Sequence, residues 1–359
     1  MLPTLRRHDA VGNDALGMLE ILRAAGYQAL LFAEIIDDAL KDLAIPASAD
    51  LEFWRSPIDV LIYHHAIHWE LGEKILARSR NRLVIKYHNV TPPHFYADYS
   101  TLYYRACEEG LAATAALAKF TRAVLWADSQ FNAGEFTALG FPEARCRVLP
   151  PVHQVEELTQ QPLDPIVMGA YRGPRPNVLF VGGMRPNKGH FRAIETFVEY
   201  AARTDRQPRL IFAGSFDPGL VKYTDALERH VHNMHLEDSV VFARSVSASQ
   251  LRAYYTSASA FLCVSEHEGF CVPLIEAMAF RVPLVAWGTT AVGETAASCG
   301  YVFSSYDAMR MAEALDSCVE DMETTRSLIG QARRRYESSF HPNAIRARLL
   351  ELTGELERL

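Results

Sequence analysis

Several features are missing from this 359-residue chain, and each absence narrows what it can be. There is no stretch of 18 apolar residues, so no segment reads as a membrane-spanning helix. The opening Met1-Leu-Pro-Thr-Leu-Arg-Arg7 carries no apolar core of the secretory kind. The six cysteines (Cys107, Cys146, Cys263, Cys271, Cys299 and Cys318) include no Cys-x-x-Cys pair. That fits a reducing cytoplasm without disulfides, with Cys263 and Cys271 as core filler in apolar runs. Basic residues are not in excess. Lys and Arg number 36 against 43 Asp and Glu, a net charge of −7, which argues against nucleic acid as a partner. No Gly-x-Gly-x-x-Gly follows a strand-like run, which disfavours a dinucleotide-dependent dehydrogenase. No Asp-x-Asp stands on a suitable loop to hold a catalytic metal, and no repeat or low-complexity tract occurs.

What is present is an alternation of short β-rich runs with helical patterns, the signature of a parallel α/β fold. Strands are predicted at 28–35, 59–65, 82–88, 123–128 and 147–149, then at 177–182, 209–214, 239–243, 260–265, 283–287 and 301–303. Helical stretches include 102–119, 188–203, 247–257 and 306–320. The segment 151–176 holds Pro151, Pro162, Pro165, Pro174 and Pro176 with little apolar period, and reads as a linker. The chain thus divides into a Rossmann-like domain over 1–150, the linker, a second Rossmann-like domain over 177–340, and a C-terminal helix over 341–359. The start departs from the pattern. A Rossmann sheet opens with a buried strand, yet only Met1 to Val11 precede Gly12-Asn13-Asp14, and the first strand reads as missing. One expectation is that the recorded start lies downstream of the native one.

The most informative run is Glu268-Gly-Phe-Cys-Val-Pro-Leu-Ile-Glu276. It follows the apolar Ala260–Val264 and leads into a helix for which Pro273 is a good first-turn residue. Two carboxylates beside a helix N-terminus combine acceptors for sugar hydroxyls with amides for phosphate. A second glycine loop, Gly182-Gly-Met-Arg-Pro-Asn-Lys-Gly189, ends the strand 177–181 and places Arg185 and Lys188 at a helix start, where two phosphates could sit. Alone, the first run fits any strand–turn–helix with solvated glutamates, and the second any βα turn with surface cations.

The longer wording Ser265-Glu-His-Glu-Gly-Phe-Cys-Val-Pro-Leu-Ile-Glu-Ala-Met-Ala-Phe-Arg-Val-Pro-Leu-Val-Ala286 resembles the signature of family-4 retaining glycosyltransferases. The resemblance implies a GT-B fold, two Rossmann-like domains facing across a cleft, the first on the acceptor side, with the last helix crossing back to it. It implies that Glu276 bonds the ribose and that Glu268 holds the donor sugar with Gly269 and the amides of Phe270 and Cys271. Gly182, Gly183, Arg185 and Lys188 become the diphosphate loop. The family usually has arginine where this chain has Gly183, so Arg185 is expected to take that role from two residues later. Ser245, in the loop Phe242–Val246, is expected beside the base, although a simple turn fits as well.

In the first half, His88 and Asn89 end the strand Leu83–Tyr87 and are expected to touch the donor. Gly12 and Asn13 are candidates for acceptor or phosphate contact, with Asp14 read alternatively as a first-turn carboxylate. His64, His65 and His68 cluster near a strand end, but no cysteine or carboxylate at ligand spacing supports a metal, and none is expected. Ser129 reads as a helix N-cap. Lys74, Arg78, Arg80, Arg82 and Lys86 form a basic stretch, either a solvated face or a weak peripheral contact to anionic headgroups.

The implied function is metal-independent, retaining transfer of a hexose from a UDP- or GDP-linked sugar to an acceptor hydroxyl, with no cofactor beyond that co-substrate. The acceptor is expected to be a glycan or lipid-linked glycan of surface polysaccharide or glycoconjugate synthesis, handled in the cytoplasm or at the inner membrane face. A catalytically impaired sugar-nucleotide-binding subunit, a phosphorylase and an epimerase are the alternatives.

Overall fold

The computed structural model describes residues 1–6, 9–49 and 52–358. The chain forms two compact units. The first gathers Met1–Pro92, Arg105–Gln154 and His341–Leu359, and the second gathers Pro93–Tyr104 and Val155–Phe340.

In the first unit the strands are β1 (Leu2–Leu5), β2 (Phe32–Ile36), β3 (Ile45–Pro46), β4 (Val60–His65), β5 (Arg82–Tyr87), β6 (Val124–Ala127) and β7 (Cys146–Val148). Every pairing is parallel. The expected gap at the first strand is not there. β1 pairs with β2 through Leu2↔Ala33 and Leu5↔Ile36, and both leucines are fully buried. A proline inside a run demotes it as a strand candidate, and Pro3 together with Arg6 hid this one. Met1 joins β1 to β4: its carbonyl accepts from His64 N at 2.9 Å and its amino group donates to Ile62 O at 2.6 Å. The described strands of this unit form two parallel sheets, β1-β2-β3 and β4-β5-β6-β7, which the Met1 hydrogen bonds link.

The second unit carries β8 (Asn177–Val181), β9 (Arg209–Ala213), β10 (Val240–Arg244), β11 (Ala260–Cys263), β12 (Leu284–Trp287) and β13 (Tyr301–Phe303). They form one parallel sheet in the order β10-β9-β8-β11-β12-β13, which reverses between β8 and β11. These strands read as near-continuous apolar runs because helices cover both faces. The C-terminal ends of β8 and β11 thus flank a topological switch point, where open α/β sheets bind ligands.

Two expected boundaries move. The 151–176 stretch is not a free linker. It holds helices Val155–Gln160 and Pro165–Tyr171, whose Val155, Leu158 and Val167 are buried in the second unit's core. Pro165 starts a helix there rather than breaking one, with Asp164 capping the amides of Ile166 and Val167 at 3.0 and 2.9 Å. Residues 93–104, placed in the first domain by sequence order, pack with the second: Tyr99 meets Tyr223 edge-on at 4.9 Å. The last helix, Pro342–Glu357, groups with the first unit. It buries Ile345, Leu349, Leu352 and Leu356 with Val84, Val124, Trp126 and Leu149, and Arg82 Nη1 donates to Leu356 O at 2.8 Å.

The loop after β8 touches the end of β11 at Gly189. Its φ of 76° lies in the left-handed region, and a Cβ there would stand 2.1 Å from Val264 O. Gly189→Ala is expected to cost on the order of 1–3 kcal/mol by overpacking. Urea denaturation measures it, and an unchanged midpoint would refute this close approach.

Candidate functional site

At the β8/β11 switch point two loops lie side by side. Residues 182–189 leave β8, and residues 264–271 leave β11. Asn187 clamps them. Its carbonyl accepts from Glu266 N at 2.8 Å and His267 N at 3.3 Å, and its side-chain amide donates to His267 O at 3.0 Å. Asn187 is buried, so these bonds sit away from competing water. The clamp brings Lys188 Nζ to 2.7 and 2.8 Å from the two oxygens of Glu268. Burial works against the Lys188 charge, but the Glu268 carboxylate prevails and holds its pKa above the usual lysine range. Glu268 is fixed in turn: its backbone N–H donates to Thr290 Oγ1 at 3.0 Å, from a Thr290 with φ of 49°. Nothing in the sequence marks Asn187 or Thr290 for these roles.

Gly182 and Gly183 line the same loop. A Cβ on Gly182 would meet the Lys188 side chain at 3.9 Å, and one on Gly183 would meet Arg185 Nε at 3.9 Å. Arg185 is 41% exposed, its guanidinium 3.2 Å from Asp217 Oδ2 and 5.4 Å from the Tyr103 ring centroid. Tyr103 also donates to Asp217 at 2.5 Å. Arg185 is thus a braced cation beside the glycines, with partners from two distant stretches that the sequence does not link. Ser245 is exposed, just beyond β10.

Beyond Glu268, Gly269 and Phe270 lead to Cys271, whose φ of 77° forms the N-terminal turn of helix Val272–Ala279. Phe270 O accepts from Thr295 Oγ1 at 2.7 Å. Cys271 Sγ lies 3.8 Å from Cys263 Sγ, both buried as expected of core thiols. Glu276 sits further along the helix, half-buried, and accepts from Tyr255 OH at 2.6 Å. Burial raises the Glu276 pKa, and the Tyr255 bond offsets part of the rise. Tyr255 is held flat against Phe280, ring planes 3° apart at 5.0 Å. The Lys188–Glu268 pair and the Tyr255–Glu276 pair therefore flank the Cys271 turn.

His88 belongs to a buried polar network in the first unit. Its Nε2 lies 2.9 Å from His64 Nδ1 and its Nδ1 3.0 Å from Asp128 Oδ2. Asp14 Oδ2 is 3.7 Å from His64 and 3.6 Å from His88. Asp14 is not a first-turn carboxylate. Asp9 caps helix Ala10–Ala24, its Oδ2 accepting from Gly12 N at 2.9 Å, and Asp14 is fully buried a turn later. Gly12 and Asn13 lie inside that helix, and Gly12 is packed so that a Cβ would meet Arg6 O at 2.8 Å. The three neighbouring histidines do not converge: His64 turns to His88, His65 to Thr114 Oγ1 at 2.8 Å, and His68 to Glu73 at 3.0 Å. Lys86 drops out of the basic stretch, because it is fully buried, bonded to Asp128 and to Leu149 O at 2.8 Å. Lys74 pairs with Glu70 at 2.6 Å. Ser129 caps helix Gln130–Ala138 through Asn132 N at 3.1 Å, as its position predicts. Asn89, with φ of 83°, donates to Glu135 Oε2 at 2.7 Å, which Tyr87 OH also reaches at 3.1 Å. No helix among the described residues is long and apolar enough to cross a membrane.

Residues 170–335 match the family described as "Glycosyl transferases group 1". The chain is 31% identical over 194 residues to the GDP-mannose:cellobiosyl-diphosphopolyprenol alpha-mannosyltransferase of Xanthomonas campestris, covering 54% of this chain and 47% of that one. It is 22% identical over 234 residues to a GDP-mannose-dependent alpha-(1-6)-phosphatidylinositol monomannoside mannosyltransferase of Mycobacterium tuberculosis, covering 62% and 59%. The chain therefore spans about half the length of these curated relatives. Among solved structures it resembles Anabaena Alr3699/HepE in complex with UDP and glucose, with a TM-score of 0.75 and 17% identity over 99% of each chain. It also resembles WaaG, a glycosyltransferase involved in lipopolysaccharide biosynthesis, with a TM-score of 0.69 and 15% identity over 98% of this chain and 99% of that one. The fold is GT-B.

The Asn89–Glu135 group gives a pH signature. Burial lifts the Glu135 pKa from the usual carboxylate range to about 7, against the pull of its two hydrogen bonds. A carboxyl raised in the folded chain binds more protons there than when unfolded, so stability falls as pH rises between about 4.5 and 7. Glu135→Gln removes that titration. Its thermal midpoint is expected to vary less across this window than the parent's, and an identical slope would contradict the assignment.

Proposed function

We infer, from a chain whose residues 170–335 belong to the glycosyl transferases of group 1, that this protein moves a hexose from a nucleotide-diphosphate sugar to an acceptor hydroxyl. The observation that carries the reading is the Lys188–Glu268 pair, clamped by Asn187 at the switch point. A partly buried ammonium already matched to a carboxylate is ready to trade partners. The donor's diphosphate would take Lys188, and its sugar hydroxyls would take Glu268. Both exchanges replace one charged hydrogen bond by another, so neither group is left unpaired.

Bond cleavage between the sugar and the β-phosphate places charge on the leaving diphosphate. Lys188, Arg185 and the amides around Gly182, Gly183, Phe270 and Cys271 would stabilise it electrostatically. Glu276, aligned by Tyr255, would bond the ribose, and Ser245 would lie towards the base. In this reading catalysis at the diphosphate needs no metal.

The GDP-mannose named for these relatives favours the same donor here. An alpha-linked product made from an alpha-linked sugar nucleotide is retention at the anomeric carbon. Their named acceptors are a diphosphopolyprenol and a phosphatidylinositol mannoside, which supports a lipid-linked glycan here, met at a membrane surface. A binding-only subunit would take up the nucleotide sugar without turnover, and a phosphorylase would require inorganic phosphate.

Lys188→Ala is expected to lower kcat by about 10²–10³-fold, the usual loss when one donor to a developing anion is removed. Glu276→Ala is expected to act chiefly on KM for the donor. Steady-state transfer from GDP-mannose, with UDP-glucose as comparison, checks both. Parent-like kinetics in the two folded variants would defeat the assignment.

A further inference from the structure

We propose that Asp14, His64 and His88 of the first unit form a binding site for a divalent cation of the zinc type. The three ligand atoms are Asp14 Oδ2, His64 Nδ1 and His88 Nε2, separated by 2.9, 3.6 and 3.7 Å. A point equidistant from all three lies about 2.0 Å from each, the length of zinc bonds to imidazole nitrogen and carboxylate oxygen. The two imidazole planes are within 10° of parallel.

Four further features point the same way. Asp14 is fully buried, yet its Oδ2 has no hydrogen-bond partner. A buried carboxylate oxygen left in that condition is costly and calls for an occupant. Its other oxygen accepts from Val152 N at 2.7 Å, which fixes the side chain with Oδ2 aimed at the two rings. Asp128 Oδ2 holds His88 Nδ1 at 3.0 Å, so that nitrogen carries the proton and Nε2 presents its lone pair to the cluster. This carboxylate–histidine arrangement is the one that orients imidazole ligands in metal sites. The charges also fit. Lys86 lies 3.9 Å from Asp14 Oδ2, but its ammonium is engaged with Asp128 and with Leu149 O. Those two charges neutralise each other, and the Asp14 charge remains for the cation.

The ligand set itself selects the class of ion. Two imidazoles and one carboxylate suit zinc and its first-row neighbours, whereas calcium and magnesium take six or more oxygens. Three protein ligands leave a fourth position for water. The cation would tie helix Ala10–Ala24 to the ends of β4 and β5. This site lies wholly in the first unit and does not depend on the donor reading.

The full chain, stripped with chelator and gel-filtered, is dialysed against zinc chloride and its metal counted by mass spectrometry. One zinc per chain is expected, with a raised thermal midpoint. Cobalt(II) in its place is expected to give the visible bands of a four-coordinate nitrogen–oxygen site. Asp14→Asn and His64→Gln are expected to weaken zinc binding at least tenfold, and Asp128→Asn by about 10–100-fold through its effect on His88. His68→Gln, which touches only Glu73, is expected to bind like the parent. Parent protein without stoichiometric zinc, or cobalt spectra unchanged in His64→Gln, would overturn the site and leave a proton as Asp14's partner. GDP binding by the stripped parent reports on the donor site separately, so either reading can fail alone.

Discussion

The second unit's candidate site depends on one constraint: the loops after β8 and β11 must run in contact. Asn187 supplies three hydrogen bonds across them, and Gly189 supplies the room. Only then can Lys188 and Glu268 meet with both carboxylate oxygens engaged. A partly buried ion pair of this kind is poor evidence of stability, because desolvation offsets its attraction. Its presence is better understood as preorganisation. Under the proposed reading the positive charge is already positioned between the two loops, and an arriving phosphate ester would have only to take it from the carboxylate.

In both units the ends of parallel strands gather polar groups that are distant in sequence. In the second unit the groups are Lys188 and Glu268. In the first they are Asp14, His64, Lys86, His88 and Asp128, which come from one helix and the ends of three successive strands. Parallel strands all point their C-terminal ends the same way, so chemistry collects along one edge without any local sequence signal.

That explains what could be read from the sequence and what could not. Strands β4 to β13 were legible as apolar runs because helices bury both their faces. β1 was not, since its proline and four-residue length look like a loop. The Glu268–Glu276 run and Lys188 were legible because their spacing is local. The partners that orient them were not. Tyr255 and Asp217 are ordinary residues in sequence, and only the fold sets them against Glu276 and Arg185. Lys86 misled for the converse reason. It stands among other cations in the chain, while β5 is buried on both faces and holds it against Asp128.

The last helix, Pro342–Glu357, has a consequence for biosynthesis. It covers Val84, Val124, Trp126 and Leu149, all made some two hundred residues earlier. As the polypeptide emerges vectorially from the ribosome, that apolar face of the first unit stays uncovered until residues 342–357 are released. The nascent protein must therefore carry an open hydrophobic flank while residues 155–340 are made, when chaperone capture competes with self-association.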